Sequence, residues 1–146
     1  MSIPQPFSHE EFKEIYSKVP RLCVDLIIKT DQGYLMTLRG NSRDGWAGQW
    51  YFPGGTVYMF ESIEDALKRK AEEELGVEIE IEKLLGYTEC FSERKERGFG
   101  YSVGLEFLCH MPKGASPRSN EQIGYFSTPP ENTIPEHKQF FQEHLL

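Results

Sequence analysis

Gly55-Thr-Val-Tyr-Met-Phe-Glu61, followed after seven residues by Arg69-Lys70-Ala71-Glu72-Glu73-Glu74-Leu75-Gly76, is the stretch from which the fold of this chain is read. Ile63, Ala66, Leu67, Ala71 and Leu75 recur at i, i+3, i+4, i+8 and i+12, which is one apolar face of a helix. Gly76 stands where that helix must stop, as a C-cap. Gly54 and Gly55 read as a glycine turn that lets the backbone approach a ligand or metal closely. Glu72, Glu73 and Glu74 crowd the far end of the helix, where the dipole favours cations over carboxylates. Helix design alone does not call for three acids there, so a bound cation is the natural reading. A solvated acidic face is the plainer one. Glu73 and Glu74 lie about 100° apart around the axis, so they border one edge without pointing at one atom. Lys70 interrupts the acids, with Glu74 as its i, i+4 partner, just as Glu73 is for Arg69.

Upstream, Ser8-His-Glu-Glu11 is a capping box, and Phe12, Ile15, Tyr16 and Val19 continue at helical spacing, predicting a short helix over 8–18. Leu22 to Ile28 reads as a buried strand interrupted by one acid, Asp25. Asp31-Gln-Gly33 turns it into a second strand ending at Arg39. Residues 40–49 form a polar, glycine-rich loop before the short extended piece Trp50-Tyr-Phe-Pro53. Downstream, Val77 to Phe91 predicts a long strand with Ile79, Ile81, Leu84 and Tyr87 inward. Ser92 to Gly98 predicts a charged hairpin tip, and Phe99 to Cys109 the returning strand. A short strand over 122–126 follows, and Pro135 opens a closing helix. The order implies one domain over 1–146, mixed α/β with helices packed on a mixed sheet.

The totals narrow the function. A formal charge of −7 argues against an electrostatic grip on nucleic acid or an anionic membrane. Aromatic residues at 13% argue against disorder. Cys23, Cys90 and Cys109 are odd in number and widely spaced, which suits reduced thiols in the cytoplasm rather than disulfides or zinc. No apolar run reaches membrane-spanning length, and no signal peptide is expected. A phosphate ligand would then be met by a few local cations or a metal, and an oxygen-rich acidic site suits Mg2+ or Mn2+.

Gly55, Glu61, Arg69, Ala71, Glu73, Glu74, Gly76 and Val77 all fall in the register of the Nudix box, and Trp50-Tyr-Phe-Pro-Gly-Gly55 leads into it. The chain therefore resembles the Nudix hydrolases. The resemblance implies an α+β sandwich, catalytic roles for Glu61, Arg69 and Glu73, and metal ligation by the Gly55 carbonyl, Glu73 and Glu74. Lys70 departs from the pattern, because the family places a glutamate there as metal ligand or general base. A protonated lysine repels a cation, so one ion per site is expected. The GDP-mannose mannosyl hydrolases also lack this acid, and the resemblance to them extends outside the box. By it, Asp25 and Arg39, the latter within Leu38-Arg-Gly-Asn41, hold the leaving nucleoside diphosphate, and Gln122 completes the metal shell. The N-terminal helix can pack a homodimer. The subgroup's general base is a histidine, however, and Ile123 stands in its place.

The expected activity is metal-dependent hydrolysis of a nucleoside diphosphate linked to another moiety, a nucleotide sugar, with cleavage at the diphosphate. Attack at the anomeric carbon and a catalytically weak nucleotide sensor are the alternatives. Glu73, Glu89, Glu93 and Glu121 are the candidate bases. Asp25, Arg39 and Gln122 each have an ordinary structural reading too: a buried acid bonding a nearby loop, an edge-strand cation, a polar loop residue. Trp46, Trp50 and Tyr51 can stack a base or sugar, or serve the core. His9, His137 and His144 are read as solvent-facing, and His110 as a weak candidate base.

Overall fold

The chain's structure, a computed structural model, describes residues 7–40, 45–118 and 122–146. Asn41 and Glu121 lie outside the described residues. Everything is arranged around β1 (Arg21–Thr30), which is buried from Cys23 to Ile28. Successive side chains of a strand point to opposite faces, and here both faces are covered. Val24, Leu26 and Ile28 pack with Ala66, Leu67, Ala71 and Leu75 of α2 (Ile63–Leu75). Ile27 packs on the other face with Phe140, Phe141 and Leu145, the first two from α4 (Pro135–His144). By the same alternation Asp25 belongs to the α4 face.

Strand β1 pairs in three directions. It runs antiparallel to β2 (Gly33–Leu38) and to β4 (Gly54–Thr56), and parallel to β6 (Ser102–His110) along Arg21 to Ile28. β5 (Glu80–Cys90) lies antiparallel beyond β6, while β3 (Trp50–Tyr51) and β7 (Ile123–Phe126) both join β2. The result is one seven-stranded mixed sheet with α2 on one face and α4 on the other, as expected from the element order. Among the described residues no helix is long and apolar enough to cross a membrane.

Local chemistry explains the helix ends. Ser8 and Glu11 form the expected capping box on α1 (His9–Tyr16). Ser62 caps α2 at Asp65, and Gly76 closes it at φ 68°, a left-handed position that suits glycine. α2 has no basic residue in its last turn. Arg118 supplies the missing charge from outside, donating to the Glu73 carbonyl at 2.6 Å and the Glu72 carbonyl at 3.3 Å.

Three expectations are corrected. Residues 92–98 are not a bare hairpin tip but contain α3 (Ser92–Arg97), because tertiary partners hold them. Glu136 accepts the Ser92 N–H and hydroxyl, and fully buried Glu93 takes Arg21 at 2.9 Å and the Ser102 hydroxyl at 2.8 Å. Gly54 and Gly55 are strand rather than turn, paired with Asp25 and Val24. Gly54 is forced by space: an added Cβ would lie 2.2 Å from the Val24 carbonyl oxygen and 2.3 Å from Asp25 Oδ1. Leu84 and Tyr87 face solvent at 54% and 64% exposure, because irregularities between Ile81 and Lys83 and between Leu84 and Gly86 break the inward alternation of β5.

Removing one partner of a buried ion pair strands the other. Glu93→Ala, which leaves Arg21 with 9% of its side chain exposed and no carboxylate, is expected to cost about 3–5 kcal/mol in urea denaturation. A cost under about 1 kcal/mol would show that the pair is effectively solvated.

Candidate active site

Beside β4, α2 supplies one wall of a cleft of about 280 Å3. Arg69 anchors this wall from behind. Its side chain is 6% exposed and forks onto Glu61, Nε to Oε2 at 2.7 Å and Nη2 to Oε1 at 2.9 Å. Nη2 also donates to the Thr56 carbonyl at 2.8 Å, which ties α2 to β4, and the guanidinium lies 3.9 Å from the centre of the Tyr58 ring. The Arg69 hydrogen bonds hold the Glu61 carboxyl below its usual range against the opposing effect of burial.

Lys70 comes next. Its Nζ is 3.3 Å from Glu74 Oε1 and 3.4 Å from Glu73 Oε2, and its side chain crosses Gly55, where an added Cβ would meet Lys70 Cε at 2.8 Å. The two acids therefore do converge on one point, although their spacing around the helix suggested otherwise, and the point they share holds a cation. Burial works against the ammonium, but Glu74 and Glu73 outweigh it and hold Lys70 above the usual lysine range. Burial raises the Glu74 carboxyl, opposed by Lys70 and by the Gly54 N–H at 3.3 Å.

The opposite wall is cationic and aromatic. Arg39 lies over the rings of Trp46, at 5.3 Å, and Tyr51, at 5.1 Å. Its Nε is buried without a hydrogen-bond partner among the described residues. Trp46 is buried in a positive-φ conformation, with its backbone N–H on Glu96 and its indole N–H on Ser92 of α3.

The floor is built where β1 and β6 run in register. Asp25 stands opposite Glu106, and both point to the α4 face, where His137 meets them. One ligand-type atom from each of Asp25, Glu106 and His137 lies within 4.8 Å of the others, an acidic cluster within reach of a single ion. His137 Nδ1 accepts the Phe52 N–H at 3.0 Å, and Nε2 lies 3.5 Å from Asp25 Oδ2. A ring nitrogen that accepts carries no proton, so the neutral imidazole presents an N–H to Asp25. Glu106 is fully buried and accepts the Thr88 hydroxyl at 2.9 Å. Burial drives its carboxyl well above the usual range, and the neighbouring Asp25 adds to the effect.

Of the residues singled out from sequence, Asp25, Arg39, Gly55, Arg69 and Glu74 line this cleft together. Glu61 is buried behind Arg69, and the Glu73 side chain stands 40% exposed at the edge, taking weaker contacts from Arg69 and Lys70. Gln122 is exposed beside Gly40 and is not part of the lining. Glu89 is exposed and accepts the Tyr101 hydroxyl, and Glu93 is consumed by its buried ion pair. His110 reaches Glu82 at 3.7 Å, and His144 stacks on Phe140. His137 is not solvent-facing but lines the cleft, with 12% of its side chain exposed. Its spacing of three and four residues before Phe140 and Phe141 places it on the buried face of α4, a signal present in the sequence. Glu106 carries no local sequence signal, because its pairing with Asp25 depends on parallel register between distant strands.

The NUDIX domain family pattern matches residues 19–140. The chain belongs to the NUDIX family. It is 41% identical over 87 residues to the low-salt glycan biosynthesis protein Agl8 of Haloferax volcanii, covering 60% of this chain and 54% of that protein. It is 38% identical over 68 residues to the nucleoside triphosphatase NudI of Escherichia fergusonii, covering 47% of this chain and 48% of the relative. These matches span about half the length of either relative. The fold superimposes on a MutT NUDIX hydrolase from Burkholderia pseudomallei with a TM-score of 0.74 and 25% identity, over 88% of this chain and all of that one. The Nudix resemblance read from residues 55–77 and the mixed-sheet fold class are thereby established.

The Arg69–Glu61 fork gives a pH-dependent test. A carboxyl held low in the folded state contributes stability above its unfolded pKa and loses it as pH falls through the folded value. Glu61→Gln is expected to cost about 2 kcal/mol at pH 7. The difference from the parent should shrink below about pH 4.5, measured by thermal unfolding across pH. A difference independent of pH would show that Glu61 contributes shape rather than charge.

Proposed function

We propose that this chain is a divalent-metal-dependent hydrolase of a nucleoside diphosphate joined to a second group, a nucleotide sugar, and that it cuts within the diphosphate. The observation that carries this reading is the pairing of two unlike walls in one cleft: Lys70 with Glu73 and Glu74 against Arg39 held over Trp46 and Tyr51. Arg39 offers a planar fork to phosphate oxygens beside aromatic surface for a base or sugar. The names of the relatives, one in glycan biosynthesis and one a nucleoside triphosphatase, agree with a substrate that combines the two chemistries.

The metal site fits a hard cation in kind. Glu73, Glu74 and the Gly55 carbonyl are oxygen donors, and the Lys70 ammonium between the two carboxylates marks the point where positive charge is held. A bound Mg2+ or Mn2+ would neutralise diphosphate charge and lower the pKa of a bound water. It must do so in competition with Lys70, so one ion is the expected load. In this reading Arg69 keeps Glu61 and Glu73 in place, Arg39 and Lys70 grip the phosphates, and Gln122 is not part of the cleft lining.

Attack at the anomeric carbon is the second reading, favoured by the missing glutamate at position 70, which the resembling mannosyl hydrolases also lack. Product analysis separates the two. Incubation with Mg2+ and a panel of nucleotide sugars in H2(18)O should put label on phosphorus and release nucleoside monophosphate. Label on the sugar, with the nucleoside diphosphate intact, would move the reaction to carbon, and no release from any member of the panel would remove hydrolysis altogether. Lys70→Glu is expected to tighten Mn2+ binding by at least about tenfold, about 1.4 kcal/mol, measured by electron paramagnetic resonance. An unchanged affinity would place the ion away from Glu73 and Glu74.

A further inference from the structure

A hydrolase with a lysine at position 70 and an isoleucine at position 123 still has to take a proton from its attacking water. Glu73 is shared between Arg69 and Lys70, Glu93 is closed in by Arg21 and Ser102, and Glu89 is engaged by Tyr101. The floor of the cleft offers a better acceptor.

We propose that Asp25 and Glu106 act as one proton-sharing pair and that this pair is the general base of the site, with Asp25 as the catalytic residue and Glu106 and His137 as positioning residues. The inference rests on the hydrolytic reading above and deepens it.

Four geometric facts support the pair. Asp25 and Glu106 are directly opposite on adjacent parallel strands, on the same face, and their side chains meet. Gly104 beneath them leaves no alternative room, since an added Cβ would be 2.7 Å from Asp25 Oδ2 and 3.1 Å from Glu106 Oε1. Glu106 Oε1 takes the Thr88 hydroxyl, while its buried Oε2 has no donor among the described residues. A carboxyl so poorly supplied with donors holds a proton of its own, and two carboxyls in contact hydrogen bond by sharing one. Finally, His137 faces Asp25 with an N–H. A metal-bound histidine gives its second N–H to an acceptor, whereas the second nitrogen of His137 itself accepts from Phe52. The imidazole therefore orients Asp25 instead of joining it around an ion.

The surrounding charges fit this role. From α2, Lys70 and Glu74 face the pair across the cleft; His137 approaches from α4, Thr88 from β5 and Cys23 from β1 itself. Burial and the close approach of Asp25 make Glu106 hold its proton into a range where ordinary carboxylates are ionised. Once that proton is lost, the ionised pair is a stronger base than an ordinary carboxylate. Water then forms a bond to phosphorus through oxygen and yields its proton to Asp25, where it becomes the shared proton again. The bridging P–O bond breaks, and its electron pair leaves with the departing phosphate. Activity should thus rise with pH through the upper step of the pair.

The test begins without substrate. In protein carrying 13C-labelled side-chain carboxyls, nuclear magnetic resonance titration should show Asp25 and Glu106 responding to two common steps, the upper well above the usual carboxylate range. Glu106→Gln should leave Asp25 a single step without the upper one. Independent titration of both groups in the ordinary range would overturn the pair. With substrate, Asp25→Asn should lower kcat by at least about 100-fold while nucleotide affinity stays within about threefold and Mn2+ affinity is unchanged. Glu106→Gln, the conservative variant, should retain turnover but move the rising limb of the pH–rate profile to lower pH. A limb that does not move overturns the positioning role of Glu106, and loss of Mn2+ binding in both variants would make the cluster a metal site instead. A parent protein that shows the shared proton yet hydrolyses nothing overturns the hydrolytic reading and the base role with it. Hydrolysis without the shared proton overturns the pair alone.

Discussion

A strand buried on both faces tolerates an acid only where the structure supplies that acid with partners, and β1 places Asp25 in that position. The apolar residues around it commit the strand to the centre: Val24, Leu26 and Ile28 toward α2, Ile27 toward α4. Alternation then leaves Asp25 no choice of side, and it meets Glu106 from β6 and His137 from α4. The same strand pairs with Gly54 and Gly55, which brings the start of the Nudix box against the acid. The closeness of Gly54 to the β1 backbone and to Asp25 therefore couples the core to the cleft at one residue.

The second organising feature is how positive charge is distributed. Arg69 is spent on structure, forking onto buried Glu61 and fastening α2 to β4 through the Thr56 carbonyl. Arg21 is likewise spent on Glu93. Lys70 and Arg39 line the cleft from opposite walls. Lys70 is the more consequential, because it lies where Glu73 and Glu74 converge. An ammonium tethered to α2 gives that point permanent positive charge, and any bound cation must share the two carboxylates with it.

Much of the frame was legible from local pattern. The apolar face of α2, its end at Gly76, the first hairpin, the Ser8–Glu11 capping box and Pro135 at the start of α4 all depend on neighbours within a few residues. The failures have a different cause. α3 is held by Arg21 and Glu136, distant in the chain, so residues 92–98 read as a loose charged tip. Leu84 and Tyr87 kept the alternation of a regular strand on paper, and two irregularities in β5 turned them to solvent. The support of the α2 C-terminus by Arg118 comes from a loop with no pattern of its own.

From the sequence alone follow the family, the box helix and the anomaly at Lys70, because the spacing of Gly55, Glu61, Arg69, Glu73 and Glu74 is a property of one continuous segment. The partners of Asp25 were decided by the tertiary structure alone. Glu106 joins it through parallel register between β1 and β6, and His137 through the packing of a helix more than a hundred residues away in sequence. Contacts of that kind are set by how sheets and helices stack, and no local spacing of residues encodes them.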